Sequence, residues 1–268
     1  MTDIKKLGFC FLIYDIINLE ELWYKFFKGV DSRKYGIYIH YKTNKPLKYF
    51  ESNKINQCIP TQYGGVTLIH AHNLIFKAAY DDGCYKIISL SQACIPLKSF
   101  RYIYNALTKD NLSHFNTAPQ NQCFPRCNSL IPIYPLEHIQ KSSNWFILNR
   151  RGFEESVKKA PHDIDKIFGN VLAAEEHYFI MCMYSGGLLD QIVEHKGPCN
   201  EYTTFTNWGG DSYPWPSTKW VKEYTTIGQQ ELLFLLFSSS CLFGRKFQPE
   251  CYESLNHPTY LDFVMTKS

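Results

Sequence analysis

Apolar residues along the chain bunch into short runs separated by polar turns, and the spacing inside each run predicts an element. Gly8 to Asp15 is almost wholly apolar and predicts a buried strand. Asn18-Leu-Glu-Glu21 has the form of a capping box, opening a helix predicted to run through Phe27. Tyr35 to His40 alternates like a strand, Tyr63-Gly64-Gly65 is a turn, and Thr67 to Ala79 carries apolar residues at helical spacing. Tyr85 to Leu90 predicts a second buried strand, followed by a loop closed by Pro96. A helix over Phe100 to Leu107 and a strand over Leu112 to Phe115 continue the alternation. Strands alternating with helices in this way predict an α/β fold, a largely parallel central sheet with helices on both faces.

Residues 116–143 break the rhythm. They hold Pro119, Pro125, Pro132 and Pro135 among many Asn and Gln, the composition of a long loop over a binding site. Beyond it, Asn144 to Leu148 predicts a strand, and Arg150 to Lys159 and Val171 to Tyr184 predict helices. Tyr202 to Thr206 predicts a strand, 198–216 is loop-rich, and a last helix is expected over Gln229 to Phe237. Ser240 to Phe247 fits a strand or a packed loop. With no repeat and no linker, residues 1–268 are expected to form a single domain.

An aromatic content of 16% excludes a disordered chain. A net charge of +3 is too mild for a nucleic-acid face, although a local anion site remains open. Leu7 to Tyr14 and Leu232 to Phe237 are too short for a secretory core or a spanning helix, so a soluble protein without signal peptide or integral membrane segment is expected. The ten cysteines form no CxxC pair and are read as buried thiols, with a few disulfides as the alternative. Their spacing does not suit zinc.

Four segments carry candidate chemistry. Glu175-Glu176-His177-Tyr178 places two carboxylates on a predicted helix about 100° apart, so at most one faces a given site. Such a residue suits a general base if partly buried, and a solvated acidic patch otherwise. Arg245 and Lys246, between Phe243 and Phe247, suit a diphosphate clamp, or a plain surface pair. Trp145, Trp208, Trp215 and Trp220 offer stacking faces for sugars, or core packing. Asp163-Ile-Asp165 has the look of a metal-chelating carboxylate pair but no apolar strand precedes it, and Asp81-Asp82-Gly83 fits turn chemistry. No GxSxG, P-loop, GxGxxG or HExxH motif occurs.

The order and wording of these segments resemble the core-2/I-branching family of glycosyltransferases, glycosyltransferase family 14, in its plant-like branch. Ile87-Ile-Ser-Leu-Ser-Gln-Ala-Cys-Ile-Pro-Leu97, with Phe100 and Ile103-Tyr104, is similar to "LLSESCIPL…F…IY". Leu22-Trp23 to Gly29 resembles "LWERFFKG", and Lys141-Ser-Ser-Asn-Trp-Phe-Ile-Leu-Asn-Arg150 resembles "RKGSQWFELNR". Glu175-Glu-His-Tyr-Phe179 resembles "DEHYF", Phe205-Thr-Asn-Trp208 "YVDW", and Leu242-Phe-Gly-Arg-Lys-Phe247 "LFARKF".

The resemblance implies a single GT-A type, Rossmann-like domain. It also implies inverting, metal-independent transfer from a UDP-sugar to a hydroxyl of a glycan or glycoprotein, with no cofactor and no metal ligands. N-acetylglucosamine is the first donor sugar implied, with xylose and glucuronic acid as alternatives. By the same carry-over Glu176 is the general base, Arg245, Lys246 and Lys222 hold the donor diphosphate, and Tyr63, Gly64 and Gly65 form a donor-site turn. Trp208 and Trp145 are expected to contact the acceptor. Eukaryotic members carry an N-terminal anchor and stem that this sequence does not show, so a cytoplasmic protein is expected, or a virion or host-cytoplasm protein for a viral source. The alternative is a catalytically inactive carbohydrate-binding or scaffold protein keeping the fold.

Overall fold

The computed structural model describes residues 4–196, 203–208 and 220–266. Its first strand, β1 (Leu7–Ile13), is followed by helix α1 (Glu20–Phe27), strand β2 (Tyr35–Tyr41), helix α2 (Thr67–Asp81) and strand β3 (Lys86–Ser91). Next come β4 (Ile95–Pro96), α3 (Phe100–Thr108) and β5 (Ser113–Asn116). After the long loop follow β6 (Ile147–Asn149), α4 (Arg150–Phe153), α5 (Ile164–Phe168), α6 (Glu175–Ser185) and β7 (Ile192–His195). The chain ends with β8 (Thr204–Thr206), α7 (Gln229–Leu233), β9 (Phe243–Arg245), α8 (Tyr252–Leu255) and α9 (Pro258–Val264).

Among the described residues the main sheet has the order β2-β1-β3-β6-β5-β7. β1 is parallel to β2 and β3, and β5 is parallel to β7, while the short β6 runs antiparallel to both neighbours. The mostly parallel α/β sheet expected from the alternation is therefore present. β1 explains why it forms: buried on both faces, it needs no polar alternation. Leu7, Phe9, Phe11 and Ile13 point into a core with α1 and α3, and Cys10 points into a second core with α2 and α6. At Gly8 a Cβ would stand 3.0 Å from Cβ of Ala79 and 3.1 Å from Sγ of Cys84, so the glycine lets α2 approach the sheet.

A second, smaller sheet of order β4-β9-β8 packs beside the first core. Its Phe243 ring lies 6.1 Å from that of Trp23, which is fully buried, meets Phe11 edge-on at 4.9 Å, and donates its indole N–H to the Cys94 carbonyl at 2.9 Å. Its strands β8 and β9 lie inside the segments expected as a strand over Tyr202 to Thr206 and as a strand or packed loop over Ser240 to Phe247, whereas the two-residue β4 carries no readable alternation.

Three other expectations change. The capping box does not form: Leu19 occupies the cap position, the Asn18 amide reaches the Phe247 carbonyl at 2.8 Å, and Glu20 accepts the backbone N–H groups of Lys48, Tyr49 and Phe50. Glu20 thereby orders the loop before Glu51, which itself accepts the Leu47 N–H at 2.8 Å. Helix α6 starts at Glu175 and not at Val171, because Ala173 is left-handed with φ 54°, which a right-handed helix cannot contain. The helix expected over Arg150 to Lys159 and the one over Gln229 to Phe237 each widen into a π-type turn, at Glu154–Lys158 and Phe234–Ser238.

Replacing Trp23 with Ala should cost about 3–5 kcal/mol of unfolding free energy, read from denaturant melts. Tyr102→Ala, at a half-exposed position, should change it by less than about 0.5 kcal/mol. Equal losses would mean that the aromatic cluster does not carry the fold.

Candidate active site

The two adjacent carboxylates of α6 fall into opposite environments, as their angular separation requires. Glu175 is 4% exposed; its Oε1 accepts from the Asn144 amide at 3.1 Å, and its Oε2 is buried without a hydrogen-bond partner. Burial pushes its carboxyl up to about 7, with the neighbouring Glu176 charge adding to the rise. Glu176 is partly exposed. Its Oε2 lies 3.4 Å from the Arg126 guanidinium and 3.4 Å from the Lys141 ammonium. Among the described residues its Oε1 makes no hydrogen bond, which leaves that oxygen open.

Both cations come from the long loop 116–143, which the sequence marks as a binding loop without singling them out. The backbone ties that loop to α6: the Ser142 N–H donates to the Glu176 carbonyl at 2.8 Å. His177 turns away, buried between Cys127 Sγ at 3.3 Å and the Gln140 carbonyl at 2.8 Å, and burial lowers its pKa to about 4. It is a packed neutral histidine.

The Tyr63-Gly64-Gly65 turn docks beside the start of α6. The Ala173 N–H donates to the Gly64 carbonyl at 2.9 Å, and the Ala173 carbonyl accepts the Glu176 N–H at 2.9 Å. Gly64 has φ 66°, which favours glycine, and Tyr63 projects wholly into solvent.

Opposite α6, Arg245 ends β9, held in parallel register beside Thr206 of β8. Its guanidinium lies 4.3 Å over the Trp145 ring, and its Nε is buried without a hydrogen-bond partner. Burial pushes its pKa down; the neighbouring Cys94, Tyr63, Glu223 and Glu176 act in the other direction, so those groups share one electrostatic neighbourhood. Lys246 pairs with Glu223 at 2.6 Å, and Glu223 also accepts from Gln248 at 2.7 Å. Lys222 pairs with the buried Glu231 at 2.7 Å, whose other oxygen accepts from the Tyr224 hydroxyl at 2.6 Å. The Lys222 ammonium is thus already committed to a buried network.

Of the expected residues, Tyr63 and Glu176 lie near enough to Arg245 for their charges to act on it, and Lys246 follows Arg245 in the chain. Trp208 follows β8 and is half-exposed. Trp145, expected as an acceptor platform, instead lies under Arg245, so one of its faces is covered by a cation. Trp215 lies outside the described residues. Asp163 and Asp165 stand at the start of α5, where Asp165 pairs with His70 at 3.0 Å. The nine described cysteines form no disulfide with one another, and Cys199 lies outside the described residues. No described helix is long and apolar enough to cross a membrane.

Glu175 generates a pH test. Its folded pKa of about 7 exceeds the ordinary carboxylate value, so the unfolded chain gives up this proton first as pH rises. Stability contributed by the protonated form is fully present below the unfolded pKa, and is lost as pH rises through the folded value, a loss on the order of 3 kcal/mol. Glu175→Gln removes that loss, so its melting temperature should exceed that of the unaltered protein by more at pH 8 than at pH 5. Equal differences at both pH values would show that the carboxyl titrates normally.

Comparison with known proteins gives the following matches among others. A family model described as Core-2/I-Branching enzyme matches residues 7–232. Glycosyltransferase BC10 of Oryza sativa subsp. japonica is 23% identical over 161 residues, which are 57% of this chain and 40% of that protein. The chain therefore matches well under half the length of that curated relative. A crystal structure of galactosyltransferase LgtC in complex with donor and acceptor sugar analogs covers 70% of this chain and 73% of its own, at 9% identity and a TM-score of 0.38. The family match extends from β1 through most of α7 and takes in Glu176, Lys222 and the Tyr63 turn, and on it the chain belongs to the core-2/I-branching enzyme family.

Proposed function

We propose that this chain is an inverting glycosyltransferase of GT-A type that moves a sugar from a UDP-sugar to a hydroxyl of a glycan or glycoprotein without a metal ion. The observation that supports the reading is that Glu176, with one oxygen open, and the half-buried Arg245 on its Trp145 face lie near enough for their charges to interact. A base beside a cationic group is what displacement at an anomeric carbon needs.

In the proposed step the acceptor oxygen attacks C1 of the sugar as the bond from C1 to the β-phosphate oxygen breaks. The acceptor proton passes to the open Oε1 of Glu176, while Arg126 and Lys141 hold its Oε2 and fix its aim. Negative charge then grows on the leaving diphosphate. Arg245 and Lys246 meet it as preorganised cations, Arg245 in a half-buried position where the interaction is stronger than in water. Attack and departure lie on opposite faces, so the anomeric configuration inverts. Lys222, tied to Glu231, supports this wall of the cleft more than it contacts the donor. Trp208, exposed at its edge, is a stacking surface for the acceptor. N-acetylglucosamine is the first donor sugar to screen, then xylose and glucuronic acid.

Calorimetric titration with UDP, with and without EDTA, tests the donor half. Binding should survive EDTA and weaken in Lys246→Ala. Glu176→Gln should keep UDP binding and lose transfer by about 10²–10⁴-fold. Binding only with Mn²⁺ would replace the cationic clamp by a metal route. No UDP binding at all would favour an inactive carbohydrate-binding protein.

A further inference from the structure

We infer that Trp145 is the positioning residue for the Arg245 guanidinium, an aromatic face that holds an uncompensated cation ready for a diphosphate. The inference rests on the donor site proposed above and adds to it a residue on the cation side.

Each neighbouring cation of the cleft touches a carboxylate. Arg126 and Lys141 share Glu176, Lys246 has Glu223, and Lys222 has Glu231. Arg245 forms no ion pair among the described residues, yet it is half-buried with its Nε unpartnered. What holds it is the Trp145 ring, 4.3 Å from the guanidinium carbon. Glu223, a carboxylate whose charge it feels, is occupied on both oxygens by Lys246 and Gln248.

The chemistry explains why a ring serves here better than an acid. A bidentate carboxylate would fix the guanidinium plane but would occupy the fork that an incoming phosphate needs. A π face fixes the same plane through its quadrupole and leaves the N–H edge free. The Trp145 backbone is itself held in place: its main-chain N–H donates to the Ser143 hydroxyl at 3.3 Å, and the next residue, Phe146, is buried with its ring 4.9 Å from that of Phe179 on α6. The ring therefore cannot follow the arginine if the arginine swings away.

The test titrates the unaltered protein, Trp145→Ala and Trp145→Phe with three probes: UDP, inorganic pyrophosphate and uridine. Trp145→Ala should weaken UDP and pyrophosphate about tenfold and leave uridine unchanged, while Trp145→Phe recovers most of the loss. In Arg245→Ala, a further Trp145→Ala change should cost nothing more. Unchanged UDP affinity in Trp145→Ala, an equal loss of uridine, or additive losses in the double variant would each overturn the inference. If the alanine variant does not fold, the smaller loss in Trp145→Phe, absent from the Arg245→Ala background, carries the same test. Pyrophosphate binding that depends on Trp145, without UDP binding, would sink the donor reading and leave this inference standing. Failure of all three probes on the unaltered protein would overturn both.

Discussion

Four consecutive residues, Ser142 to Trp145, link the Glu175-Glu176 pair of α6 to Arg245 at the end of β9. The Ser142 N–H binds the Glu176 carbonyl, the Asn144 amide binds Glu175, and the Trp145 ring carries Arg245. The segment is anchored from the sheet side as well, because the Ser143 N–H donates to the Asn116 carbonyl at the end of β5. Being short and bonded at both ends, it leaves little room for the base and the cation to move relative to each other. That matters for the proposed reaction, because displacement at a saturated carbon is steep in distance: a misplacement of 1 Å costs about a hundredfold in rate. The large parallel sheet gives this bracket a rigid floor, since β6 begins two residues after Trp145.

Charge in the cleft is organised as cations met by carboxylates of very different burial. Lys246 and Glu223 are both substantially exposed, and a surface pair of that kind is worth only about 0–1 kcal/mol. In the proposed donor site an incoming diphosphate therefore replaces Glu223 at small cost. Lys222 and Glu231 behave differently, because Glu231 is buried and satisfied by a hydroxyl and an amide besides the lysine. Removing one partner there would strand a buried charge, so this pair is a fixed element of the wall.

Much of this was legible in the order of residues. The apolar run of β1, the amphipathic spacing of α2 and the proline-rich loop all appear where their patterns place them, because long-range burial agrees with local periodicity at those points. The 100° separation of Glu175 and Glu176 correctly implied that the pair would divide its environments. What was hidden has a common cause: it depends on contacts between segments distant in sequence. Arg126 and Lys141 look like ordinary loop cations until the fold brings them to Glu176. Trp145 looks like a sugar platform until β9 sets Arg245 on it. Asn18 and Glu21 match a capping box, but partners at Phe247 for Asn18 and at Tyr252 and Lys25 for Glu21 outcompete the local bonds.

The bracket carries a cost that points to its purpose. Oε2 of Glu175, Oδ1 of Asn144, Oγ of Ser142 and Nδ2 of Asn116 are all buried without hydrogen-bond partners. Each such group costs about 1–3 kcal/mol relative to a satisfied one. Ala173 adds a left-handed backbone at the start of the same helix. A chain shaped only for stability would fill these positions with apolar side chains and a helical residue at 173. Here Ser142 and Asn144 belong to the bracket, Asn116 and Glu175 are the residues it binds, and Ala173 accepts the Glu176 N–H. Stability has been given up in the segment that holds Glu176 in place, while the fully buried apolar side chains on both faces of β1 supply the surplus.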